Sequence, residues 1–262
     1  MSRVNREAPG QAGVAMVSYA QNFEDVMLAR AFAGCATGFY IDAGAFHPDV
    51  DSVTRHFYDA GWHGINVEPV VAQHALFARA RTRDINLNIA LGRECGEMTL
   101  YDFSPLGVST VDPAVAGELH ARGLASREVP VPVRTLGQIC RDHNVRELDF
   151  LKVDVEGHEM EVLAGHDWDF VRPRILVIEA TLPMTSIPSF SAWEPMILRR
   201  GYHFAWFDGL NRFYVRREDA DLLMHFKVPP NVFDGFRLEW SGSGWQLLGA
   251  LAVRVRRRLL GR

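Results

Sequence analysis

Short apolar runs, each closed by an acid or a glycine, alternate with stretches of helical spacing along most of this chain. The runs are GFYIDAG (38–44), HGINVEP (63–69), DINLNIALG (84–92), LDFLKVDVEG (148–157) and RILVIEA (174–180). Each has the length and composition of a buried strand. Between them, Asp51–Ala60, Ala72–Arg81, Thr135–His143 and a segment starting at Glu159 read as helices. Strand–helix alternation demands a parallel sheet with right-handed crossovers. Ser18–Phe32 predicts a helix ahead of the first strand, with Glu24 and Asp25 near its start. After a helix at Ala192–Arg200, residues 202–208 and 212–218 flank Gly209-Leu210-Asn211 and predict an antiparallel hairpin. The fold class is therefore α/β, a mostly parallel, doubly wound sheet of roughly seven strands ending in a hairpin. Residues 96–133 are less regular. MTLYDF and EVPVPV read as strands, and residues 104–123 between them read as a lid loop over the site.

No linker divides the 262 residues, and 48% hydrophobic residues suffice for one sizeable core. Three segments emerge: a loose Gly/Ala/Pro-rich terminus at 1–17, one domain at 18–244, and a tail at 245–262. A net charge of −4 weighs against nucleic acid, because phosphate binding needs a basic surface. Cys35, Cys95 and Cys140 are odd in number and scattered, which excludes a disulfide framework and a metal knuckle and fits a reducing, cytoplasmic setting. No apolar run reaches the roughly 18 residues of a membrane span, and the N-terminus lacks an apolar signal core. The tail holds five Arg and no acid. Leu248, Leu251, Ala252, Val255 and Leu259 share one helical face, so it reads either as a peripheral anchor on an anionic membrane or as a helix packed on protein.

In an open parallel sheet, ligands bind at the carboxyl ends of the strands. Here those ends carry Asp42, Glu68, Asp154 with Glu156, and Glu179. One such acid is ordinarily a helix cap or a salt bridge. Four at equivalent positions point to a ligand with hydroxyls and positive charge. The turn after the first strand reads Asp42-Ala43-Gly44-Ala45-Phe46-His47-Pro48, with a single glycine and no dinucleotide fingerprint. An acid and one glycine, followed by Glu68 at the next strand end, suit a nucleoside without pyrophosphate. S-adenosylmethionine is such a ligand, and its sulfonium and ammonium charges suit acids.

The stretches SYAQNFEDVMLARAF, GFYIDAGAFHPDVDSVTRHFYDAGWHGINVEP, DFLKVDVEGHEMEVL and RPRILVIEAT, with FDGLNRFYV, resemble the FkbM-type S-adenosylmethionine-dependent methyltransferases. The resemblance covers residues 18–226. It implies a class I, Rossmann-like methyltransferase sheet of seven strands with a terminal antiparallel hairpin. It also implies O-methylation of a hydroxyl, often on a sugar or polyketide, with relatives among polysaccharide-synthesis enzymes. Phe46-His47-Pro48 departs from the family's usual second glycine.

Methyl transfer from a sulfonium needs an aligned acceptor oxygen, exclusion of water and a place for the proton. Asp154 and Glu156, expected on one face of a strand, are candidates for the base or for holding Mg²⁺, and His158 is a third candidate base. Each has an ordinary alternative in the first turn of the following helix. Cofactor candidates are Gln21, Asp42, Gly44, Glu68 and Asn88. Gln21 is included because the resemblance folds its segment, with Asn22, Glu24 and Asp25, over the cofactor. Asn211, Arg212, Trp193, Trp206 and Phe207 are weaker acceptor contacts, since turns and cores use the same residues. The expected partner is a glycan or small-molecule acceptor. Two other classes stay open: a nicotinamide-dependent oxidoreductase on a similar sheet, and a catalytically silent binding module.

Overall fold

A computed structural model describes residues 16–104 and 108–239. The tail at 245–262 and most of the N-terminal segment lie outside the described residues. In chain order the elements are β1 (Met16–Ser18), α1 (Glu24–Ala31), β2 (Phe39–Ala43), α2 (Arg55–Asp59), β3 (His63–Val67), α3 (Val71–Ala80), β4 (Ile85–Leu87), β5 (Ala90–Leu91), β6 (Gly96–Asp102), β7 (Ser109–Thr110), α4 (Pro113–Ala121), β8 (Arg127–Arg134), α5 (Leu136–Asp142), β9 (Phe150–Val153), α6 (Glu159–Ala164), β10 (Ile175–Glu179), α7 (Glu194–Arg199), β11 (Tyr202–Phe207), β12 (Asn211–Arg216) and β13 (Phe236–Leu238).

The largest sheet runs β11-β12-β10-β9-β2-β3-β4. β2, β3, β4, β9 and β10 are parallel, and β12 is antiparallel to both of its neighbours. The chain leaves β2 for β3 and β4 on one side, then returns to place β9 and β10 on the other. The gap beyond the ends of β2 and β9 is therefore the topological switch point, where such sheets bind ligands.

Alternation along the strands divides the core. Ile41, Ala43, Leu151, Val153, Leu176 and Ile178 pack with Leu136 and Ile139 of α5 and with Val162 and Leu163 of α6. Tyr40, Phe150, Ile175, Val177 and Phe213 pack with Met27 and Leu28 of α1 and with Phe57 and Trp62. On this second face the apolar residues give way to polar ones toward the carboxyl edge. Asp42 pairs in register with Lys152 and Asn66, and Glu179 with Asn211. The site is thus the polar end of an otherwise aromatic sheet face.

Several elements differ from expectation. Residues 84–92 do not form one strand: β4 pairs with β3, while β5 pairs with β8 in a second sheet of order β5-β8-β6-β7. That sheet has its own core of Val70, Ala90, Leu100, Val111, Val131 and Val133. Residues 104–123 are not a plain loop. They contain β7 and α4, which opens with Asp112 accepting from Ala114 N (2.7 Å) ahead of Pro113 in the first turn. Met16 and Val17, expected in a loose terminus, belong to β1, which pairs with β13. The first helix starts at Glu24, not Ser18. Asp25 accepts from Ser18 Oγ (2.7 Å), Tyr19 N (2.7 Å) and Ala20 N (3.3 Å), which ties that segment back as a turn. The strand expected at 148–157 occupies only Phe150–Val153.

Candidate active site

A cavity of about 960 Å³ opens at the carboxyl ends of β2, β3, β9 and β10, walled on one side by Leu100, Val108, Ser109 and Val111 of the second sheet region. Asp42, at the end of β2, is buried and accepts from Thr54 Oγ1 (3.2 Å). Burial pushes its carboxyl up to about 6, with Lys152 pulling the other way. Glu68, just past β3, accepts from Phe46 N (2.8 Å) through Oε2 and from Val70 N (2.7 Å) through Oε1. Burial raises it to about 7 in spite of both bonds. A carboxylate has about four acceptor sites, so Glu68 keeps capacity for ribose hydroxyls.

Gly44 lines the cavity at φ +82°, but its missing Cβ faces protein. A Cβ there would lie 1.7 Å from the Asp154 carbonyl oxygen. Its hydrogen side chain is needed for β2 to pass the end of β9.

The loop from Ala45 to Thr54 replaces a glycine-rich cradle with side-chain braces. Phe46 and Asp51 take positive φ, and His47 Nδ1 accepts from Asp49 N and Val50 N, both at 3.0 Å. Fully buried Arg81 donates to the Pro48 carbonyl, to Ser52 Oγ (3.1 Å) and to the Thr54 carbonyl (3.4 Å).

At the switch point, buried Lys152 donates through Nζ to Asp154 Oδ2 (2.8 Å) and Asn211 Oδ1 (3.0 Å). Asn211 Nδ2 donates to Glu24 Oε1 (2.6 Å). Burial disfavours the Lys152 ammonium, but Asp154 and Glu24 outweigh it and hold the group above its ordinary value. Burial, with Asp208 nearby, pushes Glu24 up to about 7.

Beyond the strand, Glu156 sits at φ +54° and Gly157 at φ +98°. The turn is clamped from two sides. Thr110 Oγ1 donates to the Glu156 carbonyl (2.8 Å), and Glu159 Oε1 accepts from Val155 N (3.2 Å) and Gly157 N (3.1 Å). Burial, then Asp154 and Glu159, raise the Glu156 carboxyl well above the usual carboxylate range. Burial, then Asp154 and Glu156, do the same for Glu179. A strained non-glycine residue carrying a displaced carboxyl in a cavity is a mark of a functional position.

Of the residues singled out in the sequence, Gln21, Asp42, Gly44, Glu68, Asp154, Glu156 and Glu179 line this one cavity. Asp154 and Glu156 do not share a strand face, because β9 ends before either. Both reach the cavity, and so does Val155. Asn88 and His158 are not among the lining residues. Asn88 Nδ2 donates to the carbonyls of Glu68 and Pro69, both at 2.9 Å, and so buttresses the strand end from behind. His158 stands at the start of α6, where burial lowers its pKa. Trp193 is buried in the core, and Arg212 stacks between Phe190 (3.9 Å) and Phe204 (4.0 Å). Lys152, His47, Arg81 and Thr181 escaped the sequence reading. Only Lys152 leaves a local trace, two residues ahead of Asp154.

Residues 42–204, more than half of the chain, match the family model described as the methyltransferase FkbM domain. The chain belongs to the FkbM methyltransferase family. None of the curated proteins matches it. The matched stretch of this FkbM chain begins at Asp42 and includes Gly44, Glu68, Lys152, Asp154, Glu156 and Glu179. Membership favours methyl transfer over the nicotinamide alternative. Among the described residues of this FkbM protein, no three or more His, Cys, Asp or Glu are grouped to hold a metal ion, and no helix is long and apolar enough to cross a membrane.

Proposed function

We propose that this chain is an S-adenosylmethionine-dependent O-methyltransferase acting on a hydroxyl of a sugar or glycan precursor. The observation that carries the reading is Glu156, held at positive φ with a raised carboxyl beside the Asp154–Lys152 pair at the switch point. The seven paired strands ending in the β11–β12 hairpin support a class I methyltransferase sheet. The donor set suits the cofactor. Glu68 has spare acceptor capacity for ribose, Asp42 and Asp154 offer negative charge, and Gln21 and the 45–54 loop enclose the rest. When bound, S-adenosylmethionine supplies an electrophilic methyl group on a sulfonium.

The chain's own residues then have separable tasks. Asp154, oriented by Lys152, presents a fixed carboxylate toward positive charge. Glu156, whose carboxyl burial holds above the usual carboxylate range, takes the proton from the acceptor hydroxyl as its oxygen gains the methyl group. Leu100, Val108, Ser109 and Val111 wall this side of the cavity and limit water.

Glu156→Gln should keep the fold and cofactor affinity while lowering turnover about 10²–10⁴-fold. Release of S-adenosylhomocysteine, followed with and without Mg²⁺, measures it. Full activity of that variant removes Glu156 as the base, and no release with any glycan acceptor favours the silent-module reading.

A further inference from the structure

Two polar atoms in buried residues at the cavity have no partner. They are Glu179 Oε2 and Thr181 Oγ1, in residues 6% and 2% exposed. Both lie where β10 ends and the chain folds back. Thr181 bridges Pro188, Leu182 N donates to the Ile187 carbonyl (2.8 Å), and Thr185 Oγ1 donates to the Leu182 carbonyl (2.8 Å). The resulting tip places Met184, Thr185 and Ser186 on the cavity. Glu68, the residue suited to ribose, follows β3, which β9 and β2 separate from β10. At about 4.8 Å per strand this is roughly 14 Å, so the β10 end is free for a second molecule.

The charge of the cavity restricts what that molecule can be. Asp42, Asp51, Glu68, Asp154, Glu156 and Glu179 all line it. Against them stand Lys152, already bonded to Asp154, and His47, whose Nδ1 is committed to backbone N–H groups. A carboxylate or phosphate brought here is desolvated beside acids, with the Lys152 charge already matched by Asp154 and the His47 ring, its Nδ1 an acceptor, left neutral. Neighbouring hydroxyls meet no such penalty, since each can donate to Glu179 Oε2 and exchange a hydrogen bond with Thr181 Oγ1.

We propose that Glu179, Thr181 and the Thr185–Ser186 tip form the acceptor subsite, and that it admits an uncharged polyhydroxyl ring while rejecting the same ring bearing a carboxylate or phosphate. This rests on the methyltransferase reading above and narrows its substrate class.

The test uses the full chain loaded with S-adenosylhomocysteine. Binding of the methyl glycosides of glucose, galactose and mannose is measured by calorimetry and saturation-transfer NMR, each beside its 6-carboxylate and 6-phosphate. In at least one series the neutral sugar should bind about tenfold or more tighter than either anion. Thr181→Val and Glu179→Gln should each weaken that binding about fivefold or more. Thr181→Val should also leave the melting temperature unchanged or higher, because it removes an unpartnered buried hydroxyl. Equal or tighter binding of the anions, no binding of any neutral sugar, or unchanged binding in both folded variants overturns the proposal. Failure to bind S-adenosylhomocysteine at all is the separate result that overturns the methyltransferase reading.

Discussion

Lys152 carries more of the site than any other single side chain. It is buried, its ammonium joins Asp154 to Asn211, and through Asn211 it reaches Glu24. Removing one member of a buried ion pair leaves the other uncompensated, which typically costs about 3–5 kcal/mol. Asp154 is partly exposed, so the lower end of that range applies here. Lys152→Met should therefore lower stability by about 3 kcal/mol and abolish turnover. Asp154→Asn still accepts from the ammonium but leaves that buried charge without its nearest anion, so it should lower stability as well as turnover. Urea denaturation beside a turnover assay measures both effects, and equal stability of Lys152→Met and wild type would contradict the network. The acids at the strand ends were legible because a carboxylate closing an apolar run is a local oddity. Lys152 was not, because its partners Asn211 and, beyond it, Glu24 come from the hairpin and from the first helix. Its acceptor Asn211 lies 59 residues away, and Asn211 reaches back a further 187 residues to Glu24. The space that Gly44 leaves was hidden for the same reason: the atom it makes room for, the Asp154 carbonyl oxygen, comes more than a hundred residues later.

Among the elements, the segment from β1 to α1 shows how a few hydrogen bonds place a wall of the cavity. Asp25 is fully buried and accepts three hydrogen bonds from Ser18, Tyr19 and Ala20, the residues just ahead of Gln21. Burial, opposed by those bonds, pushes its carboxyl up to about 6. Asp25→Ala leaves those donors unpartnered and should cost about 3 kcal/mol. Faster hydrogen exchange confined to residues 16–23 and to β13, which pairs with β1, would locate the loss. Protection unchanged in both strands would show that Asp25 does not hold the segment. The parallel strands of the main sheet were readable from their apolar runs and the helices between them. Two strands of the second sheet, MTLYDF and EVPVPV, were readable as well, but their pairing as β6 and β8 was not, because it is long-range, and β8 contains Pro130 and Pro132. Those prolines are tolerated where β8 has β6 on one side only, since β5 joins it no earlier than Val133. α4 was missed although Asp112-Pro113 is an ordinary helix start, because the surrounding Gly and Pro suggested a loop.

For the whole molecule, location and pH dependence follow from where charge and apolar surface lie. The tail beyond the described residues adds five Arg to an otherwise acidic chain. Before it, Val232 and Phe233 are 88% and 95% exposed on a loop that Arg30 pins through Asp234. We propose that this end meets an anionic membrane face, where each Arg contributes about 1 kcal/mol. The full chain should sediment with anionic liposomes at low salt, and a chain ending at Gly244 should not. Equal sedimentation of both would exclude the tail as an anchor. The buried acids make the second prediction. Asp25 and Asp42 titrate at about 6, and Glu24, Glu68 and Glu159 at about 7, all above their ordinary values, with burial the leading cause. A raised carboxyl binds its proton more tightly in the folded state. Its contribution is complete below the unfolded pKa and is lost as pH rises through the folded one. Buried His166 acts oppositely. Burial lowers it to about 4, so between pH 4 and 6.5 the unfolded chain binds the extra proton and stability rises with pH. Asp51, Glu156 and Glu179 are raised as well, and these carboxyls outnumber the lowered imidazoles of His47, His56, His158 and His166, so the ligand-free protein should be most stable near or below about pH 4 and weaken toward pH 8. The urea midpoint measured across that range checks it, and a flat or rising profile would contradict the burial of these acids. A bound cation favours their ionised forms, so S-adenosylmethionine should bind more tightly as pH rises from about 5.5 to 7.5, with release of protons. Calorimetry in two buffers of different ionisation enthalpy counts those protons, and proton uptake on binding would mean that the cavity acids do not face the sulfonium.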